Sequence, residues 1–252
     1  MWAFDFDGTL SHLVPDRHAA ALDPECEDML RDLSADTSQV VAVTSSRTLE
    51  DLKSRVSVDN VILSGSSGLE WWVPGGHWIG PNGRARERLS KERKRIVPGL
   101  MKVEQIPGVE VEDKTWSAAV HFRHVAQEDR LLVSRELENL RTNHGIALHY
   151  GPDVAEIQFI PESNKKLAVQ TLVKLFGSAY SSRDIVYAGD DQNDALAMRW
   201  VLERKGIVYV VGDRISVNGA NVVESPTALA RAVRKRFART QAMGGDWSAS
   251  HE

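Results

Sequence analysis

Residues 5–9 read Asp5-Phe6-Asp7-Gly8-Thr9 and follow a short apolar run that begins at Trp2. Alternate residues of a strand share a face, so Asp5 and Asp7 point to the same side. Two carboxylates side by side repel each other and call for a cation. A hard divalent ion such as magnesium suits oxygen ligands and keeps waters that a phosphate can displace. Gly8 permits a sharp turn and a close approach of backbone amides to an anion. An Asp-Gly turn accounts for Asp7 and Gly8. It does not account for Asp5, an acid inside an apolar strand whose unpaired burial would be costly.

Three further segments carry matching chemistry. Thr44-Ser45-Ser46-Arg47 follows a second apolar run and precedes a helical pattern. Hydroxyls and an arginine at such a junction hold phosphate oxygens, or simply cap the helix. Lys165 opens a later helix and offers a mobile positive charge. Gly189-Asp190-Asp191-Gln192-Asn193-Asp194 follows another apolar strand. Three carboxylates so close together need a cation or wide exposure to solvent.

The elements that must position these groups form a pattern. Strand, helix, strand, helix, strand is expected over Trp2–Phe6, Asp23–Leu33, 40–43, Thr48–Val56 and 61–63. This is the order of a parallel sheet covered by helices. After the Gly/Pro-rich stretch Pro74–Gly83 the pattern changes. A polar helix starts near Arg84, and Pro98 and Gly99 interrupt or end it. Strands at Val109–Glu112 and Ser117–Phe122, a helix at Gln127–Asn143, and strands at Ile146–Tyr150 and Val154–Phe159 follow. The parallel pattern then returns with a helix at Asn164–Phe176, strands at Asp184–Ala188 and Ile207–Val211, and a helix at Ala195–Glu203. A last helix opens at Ser225-Pro226. The fold class is therefore α/β, a Rossmann-like parallel core over 1–76 and 162–240. An inserted α+β module spans 77–161, and residues 241–252 are expected to be a disordered tail. Trp71, Trp72, Trp78 and Trp116 gather near the module boundary, where hairpin packing is their expected role. Ligands of such sheets bind beyond the carboxyl ends of the strands, where all four segments lie.

Composition narrows the classes. The chain has 252 residues, 42% hydrophobic and 26% charged, with a formal net charge of -4. No nucleic-acid footprint is expected, and the basic stretch Arg84–Arg95 reads as a solvated helix face. The single cysteine, Cys26, rules out an internal disulfide. No apolar run reaches the length of a membrane span, no signal peptide is visible, and a cytoplasmic protein without a membrane partner is expected. Nothing sets an oligomeric state, and a monomer suffices. Neither a dinucleotide-binding glycine motif nor a P-loop follows a strand.

Taken together, these segments resemble the four motifs of the haloacid dehalogenase-type phosphatases, over residues 2 to about 240. Asp5–Thr9 matches the first motif, Ser45 the second, Lys165 the third and Gly189–Asp194 the fourth. The inserted module is similar to the caps of the sugar-phosphatase branch. Within it, the trehalose-6-phosphate phosphatases are most similar, through 111–114, 119–123, 154–157 and the loop Gly65-Ser66-Ser67-Gly68-Leu69-Glu70. The chain departs from that family at Ser67, at Ser46, at Lys166 and at the end of the fourth motif.

The resemblance implies roles. Asp5 would attack phosphorus, and Asp7 would protonate the leaving oxygen and then activate water. Magnesium would sit on the Asp5 carboxylate, the Asp7 carbonyl and Asp190, with Asp194 supporting that shell. Ser45 and Lys165 would hold the phosphoryl group, with amides of Gly8 and Thr9. Ser46, Arg47, Gly65, Ser66 and Gly68 are expected at the substrate, and Glu112, Lys114 and Glu156 at the sugar. A small sugar phosphate is the implied partner, trehalose-6-phosphate first. Sucrose phosphate, a glycosyl-phosphoglycerate or a pseudo-disaccharide phosphate are alternatives, and a phosphomutase or an inactive sensing module are further ones.

Overall fold

The computed structural model describes residues 1–151, 153–176 and 184–244. The expected strand start at Asp184 falls at the edge of this range, and residues 245–252 of the expected tail lie outside the described residues. The chain divides into two compact units, one of Met1–Ile79 with Lys165–Glu252, the other of Gly80–Asn164.

The first unit holds an eight-stranded sheet. Its strands are β1 (Trp2–Asp5), β2 (Val41–Thr44), β3 (Val61–Gly65), β4 (Glu70–Val73), β5 (His77–Ile79), β10 (Val186–Gly189), β11 (Ile207–Val211) and β12 (Asn221–Val223). The order is β12-β11-β10-β1-β2-β3-β4-β5. The six strands from β12 to β3 are parallel, and β4 and β5 add an antiparallel hairpin. Chain order runs outward in both directions from β1 and β10, so the topological switch point lies between them.

Alternation along β1 sorts its side chains. Trp2, Phe4 and Phe6 join a core cluster with Met29 and Leu33 of α1 (Pro24–Ala35) and with Leu229 and Val233 of α7 (Pro226–Gly244). Met1 and Ala3 join the opposite cluster, with Ala168 and Leu172 of α5 (Lys165–Phe176) and Met198 of α6 (Ala195–Glu203). Period two then sends Asp5 to the face that α5 and α6 cover. Local signals start the helices as expected. Asp23 caps α1 with Pro24 at the first position, and Thr48 caps α2 (Leu49–Arg55).

The second unit pairs a four-stranded antiparallel sheet with two helices. Strands β6 (Glu110–Asp113), β7 (Ser117–His121), β8 (Ala147–Tyr150) and β9 (Val154–Gln158) take the order β6-β7-β9-β8. The helices are α3 (Gly83–Val103) and α4 (Arg130–His144).

Four expectations are corrected. The tryptophans pack in a hairpin as expected, with Trp72 paired to Trp78 across β4 and β5, but that hairpin belongs to the core sheet, so His77–Ile79 lie outside the inserted module. Glycines at positive φ, Gly75 and Gly76, make the hairpin turn. The short strand β12 has too little apolar patterning to be seen in the sequence. Helix α3 runs through Pro98. Loss of one hydrogen bond there is outweighed by the buried series Leu89, Ile96, Leu100 and Val103. At Gly99 an added Cβ would lie 2.1 Å from Leu140 Cδ2, so glycine lets α3 and α4 approach. Finally, α7 continues through 241–244, the start of the expected tail. No helix among the described residues is long and apolar enough to cross a membrane.

Candidate active site

Asp5 ends β1 and Gly189 ends β10, with Asp190 directly after it, side by side at the switch point. Asp5 is 2% exposed. Its Oδ1 lies 2.7 Å from Lys165 Nζ, and the same ammonium lies 2.8 Å from Asp194 Oδ1. Lys165 is the first residue of α5, the helix on the face toward which Asp5 alternates. Thr9 directs its hydroxyl at Asp5 Oδ2. Candidate ligand atoms of Asp5, Asp190 and Asp194 all lie within 4.8 Å of one another.

Asp194 is held from four directions. Tyr187 of β10 donates its hydroxyl to Oδ1 at 2.6 Å, beside Lys165, and the backbone N–H groups of Asp190 and Asp191 donate to Oδ2 at 3.3 Å. These bonds occupy the acceptor capacity of a carboxylate. Asp194 therefore anchors the loop and the ammonium, and Asp5 and Asp190 are the carboxylates better placed to touch a metal. Gly8 is required at its position. Its φ is +79°, and an added Cβ would lie 2.2 Å from Asp190 Oδ2.

The charges are out of balance. Burial pushes the Asp5 carboxyl well above the usual range, against the pull of Lys165. Burial and then Asp191 push Asp190 up to about 7. Burial opposes the charge on Lys165, but Asp194 and Asp5 outweigh it and hold the ammonium protonated. Tyr187 is raised by burial and by Asp194, so it stays a donor. Arg214, after β11, adds a partial counter-charge 3.1 Å from Asp190 Oδ2. Buried carboxylates in excess over nearby cations, all with oxygen donors, fit a hard divalent cation.

The other sequence-derived residues fall into three groups. Ser45 is buried at the end of β2, accepts the Arg47 N–H and thereby keeps its own hydrogen to donate. Ser46 beside it is half-buried. The second group is Gly65, Ser66 and Gly68, with Ser67. Ser66 and Ser67 have φ of 52° and 54°, and Gly68 has φ of 95°. Such a left-handed run in non-glycine residues is strained. It is held by Ser66 N–H on the Arg47 carbonyl and Ser67 N–H on the Ser45 carbonyl, and Ser66 Oγ reaches Glu70. Gly65 packs against α2, where an added Cβ would lie 2.4 Å from Leu49 N.

The third group is engaged within the protein. Arg47, expected at the substrate, donates to Asp7 on both carboxylate oxygens, to Asp51 and to the Arg17 carbonyl. Asp7 lies outside the acidic trio and faces Arg47. The Thr9 amide, expected to serve a phosphate, donates to the Phe6 carbonyl at 3.3 Å. Tyr187, Arg214, Asp51 and Arg55 carry no motif and were not singled out by the sequence. Only strand alternation, which turns Tyr187 to the same face as Gly189, hints at one of them.

A sequence profile of the family described as trehalose-phosphatase matches residues 3–234. The chain belongs to the trehalose-phosphatase family. A trehalose-phosphate phosphatase of Mycobacterium tuberculosis is 30% identical over 244 residues, covering 92% of this chain and 61% of its own length. This trehalose-phosphatase family member thus spans about three-fifths of that relative. Among solved structures, the C-terminal domain of C. albicans trehalose-6-phosphate phosphatase superposes with a TM-score of 0.77 at 20% identity, over 92% of this chain and 89% of that one. A haloacid dehalogenase-like hydrolase from Bacteroides thetaiotaomicron gives 0.65 at 13% identity, over 94% and 98%. These two likenesses establish the haloacid dehalogenase-like fold.

The second unit of this family member carries the remaining candidates on one sheet face. The register sets Glu112, Ala119, Glu156 and His149 in one row across β6, β7, β9 and β8. Glu112 meets His121 Nε2 at 3.3 Å. Glu156 accepts from Ser117 Oγ at 3.3 Å and lies 3.5 Å from Lys114 Nζ. Val120, Ala155 and Ile157 occupy the opposite, apolar face and are buried.

Proposed function

We propose that the chain is a magnesium-dependent phosphoric monoester hydrolase that converts trehalose-6-phosphate to trehalose and phosphate. The observation that carries this reading is the buried Asp5–Lys165–Asp194 cluster at the switch point, with Asp190 beside it, in a trehalose-phosphatase family member. Asp5 is the only one of these carboxylates on β1, next to the turn that Gly8 makes, and is the nucleophile. A carboxylate oxygen of Asp5 bonds to phosphorus as the bond from phosphorus to the sugar oxygen breaks. Asp7 gives that oxygen a proton. Asp7 then takes a proton from water, whose oxygen attacks phosphorus and breaks the acyl-phosphate bond, returning Asp5 and inorganic phosphate.

Lys165 and the Ser45 hydroxyl hold phosphoryl oxygens in both steps. Lys165 also fixes Asp5, so one ammonium orients nucleophile and target. Asp5, Asp190 and the Asp7 carbonyl would hold magnesium, with Asp194 behind them, and the ion would supply positive charge to the phosphoryl oxygens. Recognition of sugar hydroxyls is assigned to Glu112, Lys114 and Glu156, whose row supplies donors and acceptors on one face. The small Ser67 in the strained loop favours one second reading, a phosphatase for another glycosyl phosphate.

The test is phosphate release from a panel of sugar phosphates with magnesium. Trehalose-6-phosphate is expected to lead the panel, Asp5→Asn to fall to the background rate with its melting curve kept, and EDTA to silence the wild type. Near-normal turnover by Asp5→Asn would refute the nucleophile assignment.

A further inference from the structure

Three charges stand four residues apart beside the site: Arg47, Asp51 and Arg55. Residues at this spacing are neighbours on a helix face. Asp51 and Arg55 belong to α2, and Arg47 precedes its cap. Arg47 gives Nε to Asp7 Oδ2 at 2.8 Å and Nη2 to Asp7 Oδ1 at 2.7 Å. Its Nη1 goes to Asp51 Oδ2 at 2.6 Å. Arg55 grips the other side of Asp51, with Nε 3.1 Å from each oxygen and Nη2 2.9 Å from Oδ1. The far end of Arg55 donates to the carbonyls of Ala20 and His18, and Arg47 Nη2 donates to that of Arg17.

The ladder's guanidinium groups are buried, while its carboxylates are about a third exposed, Asp7 at 37%. The Arg47 and Arg55 side chains are 10% and 11% exposed, and Asp51 is 34% exposed. Burial would raise the Asp51 carboxyl, but Arg55 and Arg47 outweigh it and hold it below the usual range. A planar guanidinium bound through two parallel N–H groups fixes both the position and the plane of a carboxylate. Arg47 cannot turn without breaking its bond to Asp51, and Asp51 cannot turn without breaking those to Arg55. The orientation of Asp7 is thereby tied to a helix face and to the 17–20 segment.

We propose that Asp51 and Arg55 are positioning residues that, through Arg47, aim the Asp7 carboxyl at the leaving oxygen. This rests on the reading of Asp7 as the group that protonates that oxygen. The competing use of Arg47 is direct binding of the phosphate. The two uses leave different kinetic marks. A lost phosphate ligand weakens binding of every ester and slows them alike. A misaimed proton donor slows esters whose leaving oxygen needs a proton, such as a sugar alkoxide. A p-nitrophenolate departs without one.

The experiment is the first-turnover release of alcohol from trehalose-6-phosphate and from p-nitrophenyl phosphate, with KM for both. It uses the full chain with magnesium, comparing wild type, Asp51→Asn, Arg55→Gln and Asp51→Glu, with Asp7→Asn as reference. For Asp51→Asn and Arg55→Gln, sugar release is expected to fall about tenfold to a hundredfold, part of the roughly 10²–10⁴-fold worth of a proton donor. Release of p-nitrophenolate should change less than about twofold, with KM likewise unchanged, and Asp51→Glu should recover part of the loss. Equal slowing of both esters, or a raised KM without a split, would overturn the proposal. Arg55→Gln leaves Asp51 in place, so it decides the matter if Asp51→Asn does not fold. If Asp7→Asn shows no split, the reading of Asp7 fails and the ladder's role with it. If Asp7→Asn splits the two esters and the ladder variants do not, the ladder alone fails.

Discussion

The acidic cluster of the first unit and the polar sheet face of the second contain similar side chains under different conditions. In the first, Asp5, Lys165, Asp190 and Asp194 are each 5% exposed or less. Contacts are 2.6–2.8 Å around Asp194 Oδ1 and Lys165. In the second, the Lys114–Glu156 pair is 14% and 13% exposed at 3.5 Å, and His121 and Glu112 are 28% and 26% exposed at 3.3 Å. Buried charge costs several kcal/mol per ion unless it is fully partnered, so the first region tolerates almost no change. Of these, the His121–Glu112 pair is the wetter and can release one partner to a ligand hydroxyl at lower cost. One region holds a fully buried charge pattern, the other leaves its polar pairs partly open to solvent.

The largest break should come from Gly8→Ala. The new methyl group meets Asp190 Oδ2 in a φ region that alanine rarely adopts. Activity is expected to fall to background, read as phosphate release at saturating magnesium. The next effect sharpens the comparison without touching the chain. A divalent ion at 100 times its dissociation constant adds about 2.7 kcal/mol to the state that binds it. That corresponds to a melting shift of roughly 5–10 °C for a chain of this size. Calorimetry should find this shift with magnesium in the wild type and in Glu156→Gln, and should not find it in Asp190→Asn. The smallest effect belongs to the sheet face. Glu156→Gln removes an acceptor worth about 1.5–3 kcal/mol to a bound hydroxyl. KM for trehalose-6-phosphate should rise about tenfold to a hundredfold with kcat kept within about threefold, in steady-state kinetics. A loss of kcat equal to that of the Gly8 variant would erase the distinction between the regions.

Much of the fold was legible because its signals are local. The apolar runs that begin at Trp2 and span 40–43, and the capping by Asp23 and Thr48, each depend on a few neighbours. The misplaced or missed elements are those whose stability comes from elsewhere. The hairpin of β4 and β5 joins the core sheet because Trp71 and Trp72 pair with β3 and cover the sheet edge. Helix α3 passes Pro98 because its apolar stripe is buried.

By itself, the sequence determined the candidate residues: an acid inside an apolar strand, a second acid two residues on, a lysine at a helix start and an acid-rich loop after a later strand. Residue type and spacing suffice for this, because strand alternation and strand ends are properties of short segments. Only the tertiary structure decided how those groups are divided. It joined Lys165 to both Asp5 and Asp194, gave Tyr187 to Asp194, and turned Asp7 and Arg47 toward each other and toward Asp51. These pairings span up to 160 positions, between Asp5 and Lys165. Charge balance in a buried site depends on distance in space, which local spacing does not encode.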